Sequence, residues 1–401
     1  MKKKILILMP SMFIGGAERS LLGLLDSFDY DRYDVDLFLF RHEGEFLKYI
    51  PESVNILPEM WQYATFDVPI KDLLFSKRVV FGIARLLSKI AMKLHCIITK
   101  EPAGVWMAMQ YISMYLQPLL PDIQGSYDAA ISFLGVPDTL VSKVNAKVKF
   151  AWNHTDYTVL NPNKKRDLKV YAHVDYIVSV SEPCRESFLK VYPDLTDKAI
   201  TIENTLSETL LRKQAAEPVG DMKRVKNEIH FLSIGRFSDA KNFDNVPQIC
   251  RLLRQQGFNV KWFIIGYGGD ENLIYRKIKE AGMQDYVIML GKKENPYPYI
   301  KQCDLYVQPS RYEGKAVTVI EAQALHRPVV ITKFATSSSQ LIDGVDGVIV
   351  PLDNEGCAAG IAAVLNNTEL LEQLVANTYK KDYTNVEVLR SLYELIRGEM
   401  Q

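Results

Sequence analysis

Ser310-Arg-Tyr-Glu313-Gly-Lys-Ala-Val-Thr-Val-Ile-Glu321-Ala-Gln-Ala-Leu325 is the stretch from which the rest of the chain can be read. Before it, Asp304 to Gln308 reads as a short buried strand ended by Pro309. Within it, Val317 to Leu325 reads as a helix, closed by Arg327-Pro328 ahead of a further strand, Val329 to Thr332. Glu313 then lies in the strand-to-helix loop and Glu321 on the helix. The first N–H groups of a helix have no intrahelical partner and carry the positive end of its dipole. Gly314 to Thr318 therefore offer donors to phosphate oxygens. Glu321, about one turn further in, reaches a neighbouring hydroxyl pair. An anion cradle flanked by two hydroxyl-binding carboxylates suits a nucleotide-sugar, with the diphosphate in the middle, a hexose at one end and a ribose at the other. The competing reading is an ordinary amphipathic helix with two solvated glutamates.

Outward from this segment, short apolar strands alternate with helices in two series. The first runs through Ile5 to Met9, a helix near Ala17 to Asp26, Tyr33 to Phe40, Ala129 to Phe133, Lys149 to Trp152, Tyr176 to Val180 and Ala199 to Ile202. The second runs through Ile229 to Ile234, Trp262 to Ile265, Val287 to Leu290, Leu305 to Val307, Val329 to Ile331 and Val348 to Val350. Such alternation predicts parallel sheets covered on both faces, hence an α/β protein with two Rossmann-like domains. The polar stretch 206–227, with Pro218 and Gly220, reads as the linker between a first domain, 1–205, and a second, 228–380. Asn385 to Gly398 is a candidate for a terminal helix within 381–401.

Composition narrows the class. The 401 residues are enough for two α/β domains, and a formal net charge of zero gives no global reason to expect nucleic acid. Five scattered cysteines (Cys96, Cys184, Cys250, Cys303, Cys357) form no C-x-x-C pair, which points to reduced thiols in a cytoplasmic setting rather than to disulfides or zinc. The apolar run after Met1-Lys-Lys-Lys is cut short by Pro10 and fits a first strand better than a signal peptide. Residues 61–120 break the alternation. From Lys71 to Lys100 they carry Lys77, Arg78, Arg85, Lys89 and Lys93 against the single acid Asp72. Leu73, Leu74, Val79, Val80, Ile83, Leu86, Leu87, Ile90 and Leu94 recur there at roughly helical spacing. A basic amphipathic helix of this kind can lie on an anionic membrane surface; a domain helix with solvated lysines is the alternative.

The Ser310–Leu325 segment resembles the glutamate-x7-glutamate signature of retaining glycosyltransferases of family 4 (glycosyl transferases group 1), in a Glu-Gly-Lys variant: Gly314-Lys315-Ala316 stands where the family often has Gly-Phe-Gly. The resemblance implies the GT-B fold, two Rossmann-like domains with parallel sheets facing across a cleft, the last helix crossing back to the first domain. It gives Glu313 to the donor sugar, Glu321 to the ribose, and Gly314, Lys315, Ala316, Val317 and Thr318 to the diphosphate. Gly235-Arg236-Phe-Ser-Asp-Ala-Lys241 matches the family's Gly-Arg-x4-Lys pair, two cations to stabilise a departing diphosphate. Gly15-Gly16-Ala17-Glu18 matches a Gly-Gly-Ala-Glu run that opens a helix near phosphate or acceptor. Gly266, in Gly266-Tyr-Gly268-Gly269, corresponds to a glycine turn near the nucleotide, although an ordinary β–α turn reads equally well. His154, after a first-domain strand, corresponds to a histidine near the donor sugar, with Asp156 a further polar group beside it.

What the resemblance implies is a metal-independent, cofactor-free retaining transferase. It moves a hexose from a UDP-sugar to an acceptor hydroxyl held by the first domain. The basic, apolar stretch Lys71 to Lys100 in that domain adds the expectation of a cytoplasmic protein bound peripherally at the inner face of the cell membrane, with a lipid-linked glycan of surface polysaccharide assembly as acceptor. Two alternatives share parts of this pattern. A GT-B-like sugar-nucleotide epimerase has the nucleotide site without the transfer step. A non-catalytic nucleotide-sugar-binding partner subunit has the fold alone, and the joint presence of Glu313, Arg236 and Lys241 argues against it.

Overall fold

The structure, a computed structural model, describes residues 2–313 and 316–398, the side chains of 208 and 209 excepted. The chain forms two compact units. One is built from the residues up to Thr205 together with those from Val386 on; the other is the continuous run Leu206–Asn385.

The first unit holds β1 (Lys3–Met9), β2 (Tyr33–Leu39), β3 (Asn55–Ile56), β4 (Ile123–Ser132), β5 (Val144–Asn153), β6 (Tyr176–Ser179) and β7 (Ala199–Thr201), in the sheet order β3-β2-β1-β4-β5-β6-β7. The second holds β8 (Ile229–Ile234), β9 (Val260–Ile265), β10 (Val287–Gly291), β11 (Leu305–Gln308), β12 (Val329–Thr332) and β13 (Val348–Val350), ordered β10-β9-β8-β11-β12-β13. Neighbouring strands pair in parallel throughout both sheets. Both are Rossmann-like, as the alternating pattern predicted. In β8, Leu232 and Ile234 enter one apolar cluster and Phe231 another on the opposite face, the period-two alternation of a sheet buried on both sides.

Some elements differ from the sequence expectation. β4 and β5 begin well before Ala129 and Lys149, because the strands extend through polar residues such as Gln124 and Asn145 that an apolar-run reading leaves out. Residues 206–227, read as a linker, contain the helix Glu208–Ala215, and Leu211, Ala215 and Met222 are buried in the second unit's core. A helix needs apolar groups only every third or fourth position, so its composition stays polar. Residues 61–120 fold as four helices, Trp61–Ala64, Ile70–Leu74, Val79–Thr99 and Val105–Leu116.

The helix Val388–Arg397 belongs to the first unit. It buries Leu389, Leu392, Leu395 and Ile396, and its Tyr393 ring stacks on Tyr33 at 4.5 Å. The Tyr393 hydroxyl accepts from the N–H of Asp29, and Lys3 Nζ donates to the carbonyl of Ile396.

Candidate active site

Strand order in the second unit reverses between β8 and β11, and in an open parallel sheet the crevice at the carboxyl ends of two such strands is where ligands bind. Loop 235–245 leaves β8 there and the loop beginning at Pro309 and described to Glu313 leaves β11. Lys241 comes from the first and Glu313 from the second, and their side chains form an ion pair, Lys241 Nζ to Glu313 Oε1, with little of either exposed.

Glu313 is held from behind as well. Ser310 Oγ donates to its Oε1 at 2.6 Å and Gln308 Nε2 at 3.3 Å, while Thr336 Oγ1 donates to its carbonyl at 2.6 Å. Gln308, fully buried, is the hub. Its Nε2 also donates to Ser310 Oγ (2.9 Å), and its Oε1 accepts from Tyr306 OH (2.7 Å) and Thr318 Oγ1 (3.5 Å). Burial raises the Tyr306 phenol well above its ordinary range, with the Glu321 and Glu313 carboxylates adding to the rise, so it acts as a donor.

Two clasps join the loops. Arg311 donates to the carbonyl of Asp239 (2.6 Å) and to both carboxylate oxygens of Asp244 (3.0 and 2.9 Å), and its N–H reaches the carbonyl of Ala240. Asn242, with φ +58°, donates from its side chain to the carbonyl of Pro309 at 2.8 Å.

The glycines explain how the loops come so close. A Cβ on Gly235 would lie 2.9 Å from Lys241 Cε, so this glycine gives the lysine stem its path rather than only a sharp strand exit. Gly266 has φ +158°, and a Cβ there would sit 1.9 Å from the carbonyl oxygen of Gly235. Gly268, at φ +155°, presses equally on the carbonyl of Phe237, 2.4 Å away. The turn after β9 thus backs the loop after β8, and its glycines are required by contact as well as by conformation.

The other expected donor-side residues are placed as follows. Arg236 is exposed on the loop after β8, outside this hydrogen-bonded cluster. Gly314 and Lys315 lie outside the described residues. The Ala316 N–H donates to Gln340 Oε1 at 2.7 Å, and Val317 begins the helix Val317–Ala324. The N–H groups of Val317 and Thr318 are thereby the first-turn donors without an intrahelical acceptor. Glu321 is fully buried on that helix and accepts from Tyr297 OH at 2.8 Å.

In the first unit, Gly15 is the N-cap of the helix Gly16–Asp26, which follows the loop after β1. A Cβ on Gly15 would overlap the Glu18 carboxylate at 2.1 Å, whereas Gly16 has open space. His154 follows β5. Its Nε2 donates to the carbonyl of Phe133 at 2.9 Å, and its ring packs on Phe133 with centroids 4.7 Å apart. Burial pushes the imidazole down to about 4, only partly opposed by that hydrogen bond. The ring is therefore neutral near pH 7 and presents Nδ1 as an acceptor, suited to a sugar hydroxyl and unsuited to donating a proton. Asp156 caps the turn that follows, accepting from Thr158 N at 2.8 Å.

Sequence reasoning missed Tyr306, Gln308, Ser310, Arg311, Asn242, Asp244, Thr336 and Gln340. One signal was available: Gln308, a polar residue closing an otherwise apolar strand, must find buried partners. Among the described residues, no three His, Cys, Asp or Glu side chains gather as a metal site would need, and no helix is long and apolar enough to cross a membrane.

Residues 220–381 match the family model described as Glycosyl transferases group 1, the region that carries the Lys241–Glu313 cluster. The chain is 24% identical over 233 residues to the N-acetylgalactosamine-N,N'-diacetylbacillosaminyl-diphospho-undecaprenol 4-alpha-N-acetylgalactosaminyltransferase of Campylobacter jejuni, covering 57% of this chain and 62% of that protein. It is 28% identical over 165 residues to the amylovoran biosynthesis glycosyltransferase AmsK of Erwinia amylovora, covering 38% and 40%. The chain spans about half the length of the curated relatives it matches. Among solved structures, Anabaena Alr3699/HepE in complex with UDP and glucose superposes with a TM-score of 0.66 at 16% identity, over 98% of this chain and 99% of that one. WaaG, a glycosyltransferase involved in lipopolysaccharide biosynthesis, superposes at 0.61 and 14% over 98% and 100%. At these identities the likeness shows the fold, and that fold is GT-B.

Proposed function

We propose that the chain is a retaining glycosyltransferase that moves a hexose from a UDP-sugar to an acceptor hydroxyl, without metal or cofactor. The observation that carries this reading is the Lys241–Glu313 pair at the β8/β11 switch point, inside the region that matches the glycosyl transferases group 1 family. UDP in a neighbour of the same fold and polysaccharide-related relatives support the donor and the acceptor class.

In this reading Lys241 and the exposed Arg236 neutralise the diphosphate as the glycosidic bond breaks. The first N–H groups of Val317–Ala324 hold its terminal oxygens. Glu313, fixed by Ser310 and Gln308, orients the sugar; Glu321 serves the ribose. His154 accepts from a hydroxyl through Nδ1. The leaving phosphate takes the acceptor's proton as the new bond forms on the same face. The acceptor is a lipid-linked glycan of surface polysaccharide assembly, met at the cytoplasmic face of the membrane.

Glu313→Gln and Lys241→Ala should each lower transfer at least ~100-fold, the scale of removing one electrostatic contact at the transition state. Thermal unfolding is followed in parallel, because Lys241→Ala leaves a largely buried carboxylate without its cation. Near-normal turnover in both variants would sink the site assignment. Transfer should persist in excess EDTA, and a loss restored by Mg²⁺ or Mn²⁺ would transfer the cations' role to a metal. Release of an isomerised nucleotide-sugar, with no sugar transferred, would favour an epimerase. Binding of UDP-sugar with neither outcome would indicate a non-catalytic partner.

A further inference from the structure

The helix Val79–Thr99 turns its larger apolar side outward. Phe81, Gly82, Ala84 and Ser88 are buried; a Cβ on Gly82 would lie 2.9 Å from Leu74, so this face, small-residue apart from Phe81, packs tightly on the helix Ile70–Leu74. Val79, Val80, Ile83, Leu86, Leu87, Ile90, Leu94, Ile97 and Ile98 are all exposed, Ile97 and Ile98 by 72% and 79%. At helical spacing these nine residues fill one continuous arc of roughly 120° along about 30 Å of helix. Phe75, 85% exposed, precedes the helix, and Val105, 79% exposed, follows it. A stripe of this size on a folded domain marks a surface that is covered in use.

Charge decides what covers it. The helix carries no acid, and exposed Lys89 and Lys93 border the stripe, with Lys77 before it and Lys100 at its end. Arg78 lies over the Trp61 ring at 4.9 Å, and Trp61 packs edge-on against Phe81, which places an amphipathic indole beside the stripe. A second copy of the chain would bring this cationic border against itself. An anionic lipid surface answers both features, headgroups to the lysines and acyl chains to the stripe. Arg85 does not take part: its guanidinium donates to the carbonyls of Thr65 (2.6 Å) and Val68 (3.2 Å) and holds the insertion together.

We infer that the Val79–Thr99 helix lies in the surface of an anionic bilayer, its Ile/Leu stripe inserted below the headgroups and Lys77, Lys89, Lys93 and Lys100 at their level. This deepens the lipid-linked-acceptor reading above by naming the element that meets the membrane. Because insertion adds apolar burial to charge, binding outlasts salt that would screen charge alone.

The test is co-sedimentation with vesicles of phosphatidylcholine, with or without phosphatidylglycerol, at low and high salt. No donor or acceptor is present, so failure here leaves glycosyl transfer to soluble acceptors untouched. Wild type should bind the anionic vesicles at least 10-fold more tightly than the neutral ones and keep part of that binding at high salt. Replacing Ile83, Leu87, Ile90 and Leu94 by Ser should abolish binding at both salts. Replacing Lys77, Lys89 and Lys93 by Ser should weaken it at low salt only. Independently of those variants, brominated lipid should quench wild-type tryptophan fluorescence, and Trp61→Phe should remove most of that quenching. Wild type remaining in the supernatant with anionic vesicles at low salt would overturn the inference. So would a stripe variant that binds like wild type, or a wild-type dimer that the stripe variant converts to monomer.

Discussion

Gln308 shows how a fully buried side chain can set the geometry of a carboxylate at the β8/β11 crevice. With its amide between Tyr306 and Thr318 on one side and Ser310 and Glu313 on the other, it fixes which Glu313 oxygen faces Lys241. Gln308→Leu fills similar volume but removes the amide oxygen to which the Tyr306 hydroxyl donates, along with the amide donor to Ser310 and Glu313. It should therefore cost about 1–3 kcal/mol of stability and lower turnover roughly 10-fold with the donor KM nearly unchanged. Steady-state kinetics beside denaturant unfolding checks this, and an unchanged kcat would reduce Gln308 to a core residue. His154 supports a pH prediction. Its folded-state value, about 4, lies below the unfolded 6.5, so above pH 6.5 it has no effect on stability. Between those limits the unfolded chain takes up a proton that the fold refuses, and stability falls by about 2 kcal/mol from pH 6.5 to pH 5. His154→Gln should show a correspondingly smaller acid loss, and an imidazole NMR titration with a midpoint near 6.5 would reject the assignment. At this scale the sequence showed the charged and glycine positions through their spacing. The uncharged relay behind Glu313 stayed hidden, since a glutamine's partners depend on which strands become neighbours.

Among the elements, the strand-to-helix loops of the second unit are set by backbone contact. Gly266→Ala would push a methyl into the carbonyl of Gly235 and move the loop that carries Lys241. We expect about 1–3 kcal/mol of destabilisation and at least a 10-fold weaker UDP affinity by calorimetry. Gly269→Ala, where a Cβ meets nothing within 4 Å, is the control and should leave both unchanged. The central strand β8 and the helix Val317–Ala324 were legible almost to the residue, because apolar period and Pro punctuation agree there. β3, two exposed residues long, carries no apolar period to read. The helix Val79–Thr99 was legible as a helix, but which face turns inward was not. Apart from Phe81, its small residues rather than its Val, Ile and Leu side chains pack against the fold.

For the whole molecule, the two alternating series were enough to give two parallel-sheet units, whereas the place where one unit gives way to the other depends on burial that composition does not reveal. Leu211, at 1% exposure in a segment that looks like a solvated connector, illustrates this. The terminal helix offers a prediction at the same scale. Ending the chain after residue 385 removes Leu389, Leu392 and Leu395 from the first unit and bares Phe28 and Tyr33. Each lost leucine is worth about 2–5 kcal/mol, so the first unit should unfold while the second persists, seen as a protease-resistant fragment spanning roughly 206–385. Survival of both units would mean that the helix is dispensable. The same discontinuity sets an order on the ribosome. The second unit is one unbroken run and is finished while the final helix is still being translated; the first, begun earlier, cannot close until that helix emerges. The first unit therefore waits, its seven strands made but its last helix missing, through the synthesis of its neighbour, and a ribosome that stalls near residue 385 leaves a nascent chain whose older half is the unfinished one.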